Sequence, residues 1–238
     1  MVRAALTLAA LAVGAVDALD NGLALTPPMG WRSWNCFHGE VNDSAIRATI
    51  DAITDRSRTV DGKPTSLADL GFDSVGIDDG WQACGTGYQG SFHDEAGTPL
   101  VNETKFPSLK DLVTYGHSKG VKMGWYTGNC ICGEGGVENS NWTWANLTFV
   151  GDAKLSIEAG FDGMKIDNCA GGAGKGFELR MSTINASGKP VLVENSNQAH
   201  VSRPSNASSF ISSWSTSCLL PILNNTGPPR PSDEIKLT

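Results

Sequence analysis

The segment Gly163–Cys169, GMKIDNC, places a lysine and an aspartate two residues apart in a short apolar run. Side chains at positions i and i+2 of a β-strand point to the same side, so Lys165 and Asp167 would share one face. A buried charge without a partner is costly. The two residues therefore form either a structural ion pair or part of a site. A neighbouring lysine would keep the aspartate ionised, as a nucleophile requires.

Other short apolar runs end in polar or aromatic residues of similar kinds. The predicted strands are Met29–Trp34, Ser74–Asp78, Val121–Tyr126, Gly163–Asp167 and Pro190–Glu194. The candidate site residues at or just after their ends are Trp34, Asp78, Asp79, Trp81, Tyr126, Lys165, Asp167 and Glu194. Five successive strands with such residues at the same end predict one shared site rather than five solvated strand ends.

Helical patterns alternate with these strands, at 42–57, 109–120, 149–159 and 176–186. Alternating strands and helices predict an α/β fold with a parallel sheet. No glycine-rich phosphate loop follows the first strand, so a nucleotide-binding sheet is disfavoured. A (β/α)8 barrel fits better, although about five βα units are visible, and in such barrels the chemistry lies at the carboxyl ends of the strands.

Carboxylates, a lysine and aromatic side chains at one edge suit glycoside hydrolysis. That reaction needs one carboxylate as nucleophile or base and one carboxylic acid that protonates the leaving oxygen. Asp78 and Asp79 could accept hydrogen bonds from sugar hydroxyls, with Trp34 or Trp81 closing against the ring. The main alternative is a divalent-metal site of Asp78, Asp79 and Asp167, which Lys165 disfavours.

Four ordered blocks resemble the α-galactosidase (melibiase) family, glycoside hydrolase family 27. They are LDNGLALTPPMGWRSWNCF, GFDSVGIDDGW, FPSLKDLVTYGHSKGVKMGWY and GFDGMKIDNC. The blocks run in family order from about Leu19 to Asp167, and more weakly to Glu194. This part corresponds to the N-terminal half of a typical family member.

The resemblance implies a (β/α)8 barrel and a retaining mechanism on terminal α-D-galactosyl residues, with no cofactor. It assigns Asp167 as the nucleophile and Lys165 as a ligand of galactose hydroxyls. It also assigns Asp78 and Asp79 to the O4 and O6 hydroxyls, Trp34 and Tyr126 to the pocket wall, and Glu194, more weakly, to the 2-hydroxyl. By the same resemblance, Cys169 pairs with Cys130 or Cys132.

The resemblance fades after residue 195. The family's acid/base aspartate should lie about 60 residues past the nucleophile, where Asp233 and Glu234 are the available carboxylates and the sequence does not match. Residues 196–238 are rich in serine, asparagine and proline, which predicts an irregular or disordered tail. We therefore interpret residues 19–195 as a truncated barrel domain that lacks the acid/base aspartate. A galactose-binding protein without catalysis, or an α-N-acetylgalactosaminidase, remains an alternative.

Residues 1–18 read as a secretory signal peptide, an apolar run after Arg3 that is too short to span a membrane. Seven N-x-[ST] sequons and six cysteines agree with an extracellular, vacuolar or lysosomal protein. The cysteines are Cys36, Cys84, Cys130, Cys132, Cys169 and Cys218. The net charge of −7 disfavours nucleic acid as a partner. The sequence does not fix the oligomeric state.

Overall fold

The computed structural model describes residues 22–128, 130–134, 137, 140–167 and 173–196, with side chains from residue 176 in the last range. The predicted signal peptide, 1–18, lies outside the described residues. So does the predicted tail, 196–238, apart from Ser196. Cys169, Cys218, Asp233 and Glu234 are also outside them.

Seven strands and five α-helices make up the described part of the chain. The strands are β1 (Gly30–Arg32), β2 (Thr59–Val60), β3 (Lys63–Pro64), β4 (Ser74–Gly76), β5 (Lys122–Gly128), β6 (Gly163–Asp167) and β7 (Leu192–Asn195). The α-helices are α1 (Trp34–Phe37), α2 (Asp43–Thr54), α3 (Leu109–Ser118), α4 (Trp142–Ala159) and α5 (Ala173–Ser187). Short 3-10 turns lie at His38–Glu40, Ala68–Leu70, Tyr88–Gly90 and Ile131–Gly133.

The main sheet has five strands in the order β1-β4-β5-β6-β7, and every neighbouring pair is parallel. Strands β2 and β3 form a separate antiparallel hairpin. The crossovers between the parallel strands carry the helices. The prediction of an α/β fold with a parallel sheet is confirmed.

The two faces of the sheet differ in composition because side chains alternate along each strand. On one face, large apolar side chains such as Val75, Met123, Trp125 and Met164 are buried in the core. The other face carries glycines, and towards the carboxyl ends it carries the polar candidate residues. The sheet therefore presents the candidate site on the face opposite its main apolar core.

The first strand ends earlier than predicted, and Trp34 lies outside it. Ser33 adopts right-handed helical backbone angles, φ −69° and ψ −22°, so the chain turns there and Trp34 begins helix α1. Two hydrogen bonds fix this turn. The Ser33 amide donates to the Gly76 carbonyl at 3.1 Å, and the Ser33 hydroxyl accepts from the Asp78 amide at 2.9 Å.

Side-chain caps explain where three helices begin. Asn42, Ser108 and Asn141 accept hydrogen bonds from backbone amides three residues later, at the starts of α2, α3 and α4. Helix α4 therefore begins at Trp142, seven residues before the predicted start at Phe149. In the described part of the chain, no helix is long and apolar enough to cross a membrane.

Candidate active site

Strands β5 and β6 and the end of β4 bring four of the predicted residues together. The Tyr126 hydroxyl donates to Asp167 Oδ2 at 3.0 Å, and the Lys165 ammonium donates to Asp78 Oδ2 at 2.9 Å. The same ammonium lies 5.0 Å from the centre of the Tyr126 ring. The four side chains thus form one connected group at the carboxyl edge of the sheet.

Lys165 donates its hydrogen bond to Asp78, two strands away, and not to Asp167 on its own strand. Of the two alternatives that the spacing left open, this contact favours a shared site over a structural Lys165–Asp167 ion pair. Residues i and i+2 share a face, but the sheet also brings the buried Asp78 within reach. An ammonium bonded to Asp78 also disfavours the divalent-metal alternative, because positive charge is already supplied there.

Asp78 and Asp79 are adjacent but differ in environment. Asp78 is buried, whereas Asp79 is partly exposed. The Asp79 amide donates to Asp78 Oδ1 at 3.0 Å, which fixes the turn between them. Burial raises the pKa of the Asp79 carboxyl, and the nearby Asp78 and Asp167 carboxylates raise it further, against hydrogen bonds from Gly80 and Gln82.

The Tyr126 phenol stays protonated in this setting. Burial raises its pKa, and the carboxylates of Asp167, Asp79 and Asp78 raise it further because a phenolate beside them would add like charge. Tyr126 is therefore a hydrogen-bond donor that orients Asp167. Ser196, which the sequence did not single out, lies on the other side and donates to Asp167 Oδ1 at 3.4 Å.

The two tryptophans proposed to close on a sugar lie in different places. Trp34 is 40% exposed at the start of α1 and packs edge-on against His38. Trp81 is completely buried, packs against Trp125, and donates its indole N–H to the Tyr126 carbonyl at 3.0 Å. The buried position of Trp81 does not favour direct contact with a sugar. Instead, the hydrogen bond from the Trp81 indole stabilises the strand that carries Tyr126.

Glu194 is almost entirely buried, and its carboxylate accepts a hydrogen bond from Arg32 of β1. Arg32 also lies 3.7 Å from Asp78 Oδ2 through its Nε. A carboxylate held in an internal ion pair is poorly placed to reach a sugar hydroxyl. The structure thus does not support the expected role of Glu194, and it identifies Arg32 as a residue that sequence reasoning missed.

Comparison with known proteins agrees with this geometry. The family model described as alpha galactosidase A (melibiase) matches residues 26–213, which covers most of the chain and extends past residue 195. The chain belongs to this α-galactosidase family. The match confirms the resemblance stated from the sequence.

Three similar proteins belong to the same group. A protein of Dictyostelium discoideum named "Probable alpha-galactosidase" is 33% identical over 79% of this chain and 44% of its own length. An α-galactosidase of Cyamopsis tetragonoloba is 36% identical over 63% of this chain and 32% of its own. The crystal structure of α-galactosidase I from Mortierella vinacea, 30% identical, superposes with a TM-score of 0.56 over 74% of this chain and 41% of its own. This chain therefore spans less than half the length of these relatives, and its sheet corresponds to part of their barrel.

One disulfide of this α-galactosidase-family chain joins two loops beside the site. Cys84, after β4, is bonded to Cys132, after β5. Of the two partners considered for Cys169, Cys132 is therefore already paired. Cys130 and Cys36 are also disulfide-bonded.

A cavity of about 950 Å³ opens next to this disulfide. Its lining includes Asp79, Gln82, Asn102 and Lys105, and Asp167 is not part of it. The cavity therefore lies to one side of the Tyr126–Asp167 pair.

Behind the site, a buried ionic network joins the same loops to the helices. His93 Nδ1 lies 2.6 Å from Glu134 Oε1, and its Nε2 lies 3.1 Å from Asp152 Oδ1 on α4. Arg180 of α5 and the hydroxyl of Thr127 both donate to Asp152 Oδ2 at 2.5 Å. Thr127 directly follows Tyr126, so this network anchors the strand end that holds the site.

Two pKa values in this network are shifted. Burial alone would lower the pKa of His93, but the Asp152 and Glu134 carboxylates raise it to about 9. Burial alone would raise the pKa of Asp152, but Arg180 and His93 hold it at about 2. Both shifts favour a charged, hydrogen-bonded network.

Proposed function

We propose that this chain forms the nucleophile-bearing part of a retaining α-galactosidase. Such an enzyme hydrolyses terminal α-D-galactosyl residues of oligosaccharides or glycoconjugates through a galactosyl-enzyme intermediate. The observation that carries the proposal is the connected group of Asp167, Tyr126, Lys165 and Asp78 at the carboxyl edge of a parallel sheet. Membership of the α-galactosidase family supports the same reading.

Asp167 is the proposed nucleophile. Tyr126 binds Oδ2 through a hydroxyl that stays protonated, so the carboxylate is held in one orientation. That orientation leaves Oδ1, with its longer contact to Ser196, as the oxygen that attacks the anomeric carbon. The attack forms the glycosyl–enzyme ester and breaks the bond to the leaving oxygen, and water later hydrolyses the ester.

Lys165, Asp78 and Asp79 are the proposed ligands of the galactose hydroxyls. Carboxylates accept hydrogen bonds from hydroxyl groups, and an ammonium donates to hydroxyl oxygens. The raised pKa of Asp79 means that charge is disfavoured there. Two or more sugar hydroxyls that donate to Asp79 would stabilise its ionised form, so galactose binding and ionisation of Asp79 reinforce each other.

A retaining enzyme also needs a general acid, and the described residues do not assign one. Tyr126 is unsuitable because it does not titrate near neutral pH. We infer that the acid comes from outside the described residues. An activated donor, whose leaving group needs no proton, would react even where the acid is missing.

We also infer a route through the secretory pathway to the exterior, a vacuole or a lysosome. The Cys84–Cys132 disulfide supports it, because such bonds persist in oxidising compartments.

Turnover of aryl glycosides by the native protein tests the proposal. We expect hydrolysis of the α-galactoside, with little or none of the β-galactoside or the α-N-acetylgalactosaminide. D167N should lower kcat by on the order of 10⁶-fold, as loss of a catalytic nucleophile does in other enzymes. D61N, in an exposed turn, is the matched control and should retain full activity.

Two results would contradict the proposal. Preference for the N-acetylgalactosaminide would assign the sister activity. Galactose binding without any turnover of an activated donor would indicate a binding protein.

A further inference from the structure

Arg32 occupies an unusual position on the polar face of the sheet. It is in register with Gly76 of β4, which is in register with Gly124 of β5, and Gly124 is in register with Gly163 of β6. One arginine and three glycines thus form a row across four strands, one level below the candidate site.

The glycines leave the space that the arginine fills. A Cβ atom on Gly76 would lie 2.9 Å from Arg32 Cζ, and one on Gly124 would lie 3.5 Å from Arg32 Nη2. The guanidinium group therefore lies across the strands, and Arg32 is only 5% exposed. Larger residues at Gly76 would displace it.

The contacts of Arg32 lead directly to the residues above it. Nη1 donates to the Ile77 carbonyl at 3.1 Å, the peptide that precedes Asp78. Nη2 donates to the Glu194 carboxylate, and Nε lies 3.7 Å from Asp78 Oδ2. The same Oδ2 accepts from Lys165, so Asp78 lies between two cations.

Arg32 is a cationic neighbour of two buried carboxylates. Asp78 and Glu194 are only 1% and 7% exposed, and Arg32 contacts both of them. Removing Arg32 would therefore take a positive charge away from both carboxylates, and removing one partner of a buried ion pair is strongly destabilising.

We propose that Arg32 is a positioning residue of the galactoside site. It binds Glu194 and holds the Asp78 carboxylate where the Lys165 ammonium donates to it. Glu194 then completes this internal pair and does not contact the sugar. The inference rests on the proposed function for its kinetic readout, and on the geometry alone for its structural readout.

Kinetics of five variants of the native protein test the role of Arg32. The variants are R32M, R32K, E194Q, R32M/E194Q and the control R56M. R32M should lower kcat/KM by about 100-fold per active site, since small displacements of positioning groups have effects of this size. Most of this decrease should come from a higher KM, because Asp78 is a proposed ligand of the substrate hydroxyls. R32K, which restores the charge without the planar fork, should recover part of the loss.

The double variant and the control separate positioning from general damage. R32M/E194Q should lose less than the product of the two single losses, because Arg32 and Glu194 are bonded to each other and their effects are therefore coupled. R56M removes an exposed arginine that binds Asp69 on the surface, and it should match the wild type. Unchanged kcat and KM in R32M, counted per active site, would overturn the inference.

The crystal structure of R32M gives a readout that does not depend on activity. We expect the Asp78 and Glu194 carboxylates to move and the 2.9 Å contact between Lys165 and Asp78 to change. If both carboxylates stay in place, the inference is wrong even where the enzyme is active. If the wild type turns over no galactoside, the proposed function fails, and the R32M structure still decides the role of Arg32.

Discussion

The buried network around His93 predicts that stability depends on pH above neutrality. The pKa of His93 is about 9 in the folded protein, against an ordinary value of 6.5. Because the folded-state pKa is raised, the imidazolium contributes its full stabilisation below pH 6.5. That contribution is lost as the pH rises towards and through 9. The groups that face the ring are Glu134 and Asp152, with Arg180 bonded to Asp152.

The magnitude follows from the two pKa values. Their difference is about 2.5, and each unit corresponds to about 1.36 kcal/mol, which gives about 3 kcal/mol between pH 6.5 and 9. His93 is 1% exposed, so solvent screening removes little of this energy. A loss of this size is a large fraction of the stability of a typical domain.

This pH dependence can be measured by urea unfolding, followed by tryptophan fluorescence. The measurement is repeated at several pH values between roughly 6 and 9.5, the window set by the two pKa values of His93. The wild-type free energy of unfolding should fall by about 3 kcal/mol across the window. H93Q should be less stable at pH 6 and should lose most of the slope. H117Q, which removes an exposed imidazole that contacts Asp162, is the control and should keep the slope. An equal slope in H93Q and wild type would refute the reasoning.

Three further predictions concern the site and its loops. Y126F should lower kcat by about 10- to 100-fold with little change in KM, because it removes a charge-assisted hydrogen bond to Asp167. Stopped-flow turnover of an aryl galactoside measures both constants. A larger effect on KM than on kcat would contradict the orienting role of Tyr126. Galactose affinity, measured by calorimetry, should rise with pH as Asp79 ionises, and D79N should abolish that rise. Replacing both Cys84 and Cys132 by serine should lower the free energy of unfolding by up to about 4 kcal/mol, because the bond closes a separation of 48 residues; an unchanged urea midpoint would contradict this.

The sheet and most helices could be predicted because their signals are local. The short apolar runs predicted β6 with its observed bounds, and they predicted the other four strands of the main sheet with ends within a few residues of the observed ones. The helical patterns at 42–57 and 109–120 placed the starts of α2 and α3 within one residue of the observed starts, Asp43 and Leu109. Helix α4 was predicted too short because its first turns contain Trp142 and Trp144 without a clear apolar periodicity. The Asn141 cap was the signal that could have corrected its start.

The site was only partly visible in the sequence because several of its contacts join distant strands. The spacing of Lys165 and Asp167 predicted a shared face, but the bond from Lys165 to Asp78 spans 87 positions. In the sequence, nothing distinguishes Arg32 from other charged residues. Its role becomes apparent only from the strand register, which aligns Arg32 with Gly76 and Gly124. A row of glycines at matching positions of three predicted strands was the available clue.

Trp81 was predicted to lie in the site, but the structure places it in the core. Its place two residues after Asp79 suggested a residue that closes over a sugar, yet the side chain is buried in the core. The buried indole N–H bonds to the carbonyl of Tyr126, and its ring packs on Trp125. Such a large apolar surface gains more from burial than from partial exposure. Position in the sequence alone could not distinguish the two outcomes.

Covalent trapping tests the central claim most directly. The native protein is incubated with a fluorinated α-galactosyl donor that forms the glycosyl–enzyme ester faster than water removes it, and the labelled peptide is sequenced by mass spectrometry. We expect one fluorogalactosyl adduct per chain, on Asp167, and none in D167N. An adduct on any other residue, or rapid turnover of α-galactosides without an adduct, would contradict the assignment of Asp167 as the nucleophile.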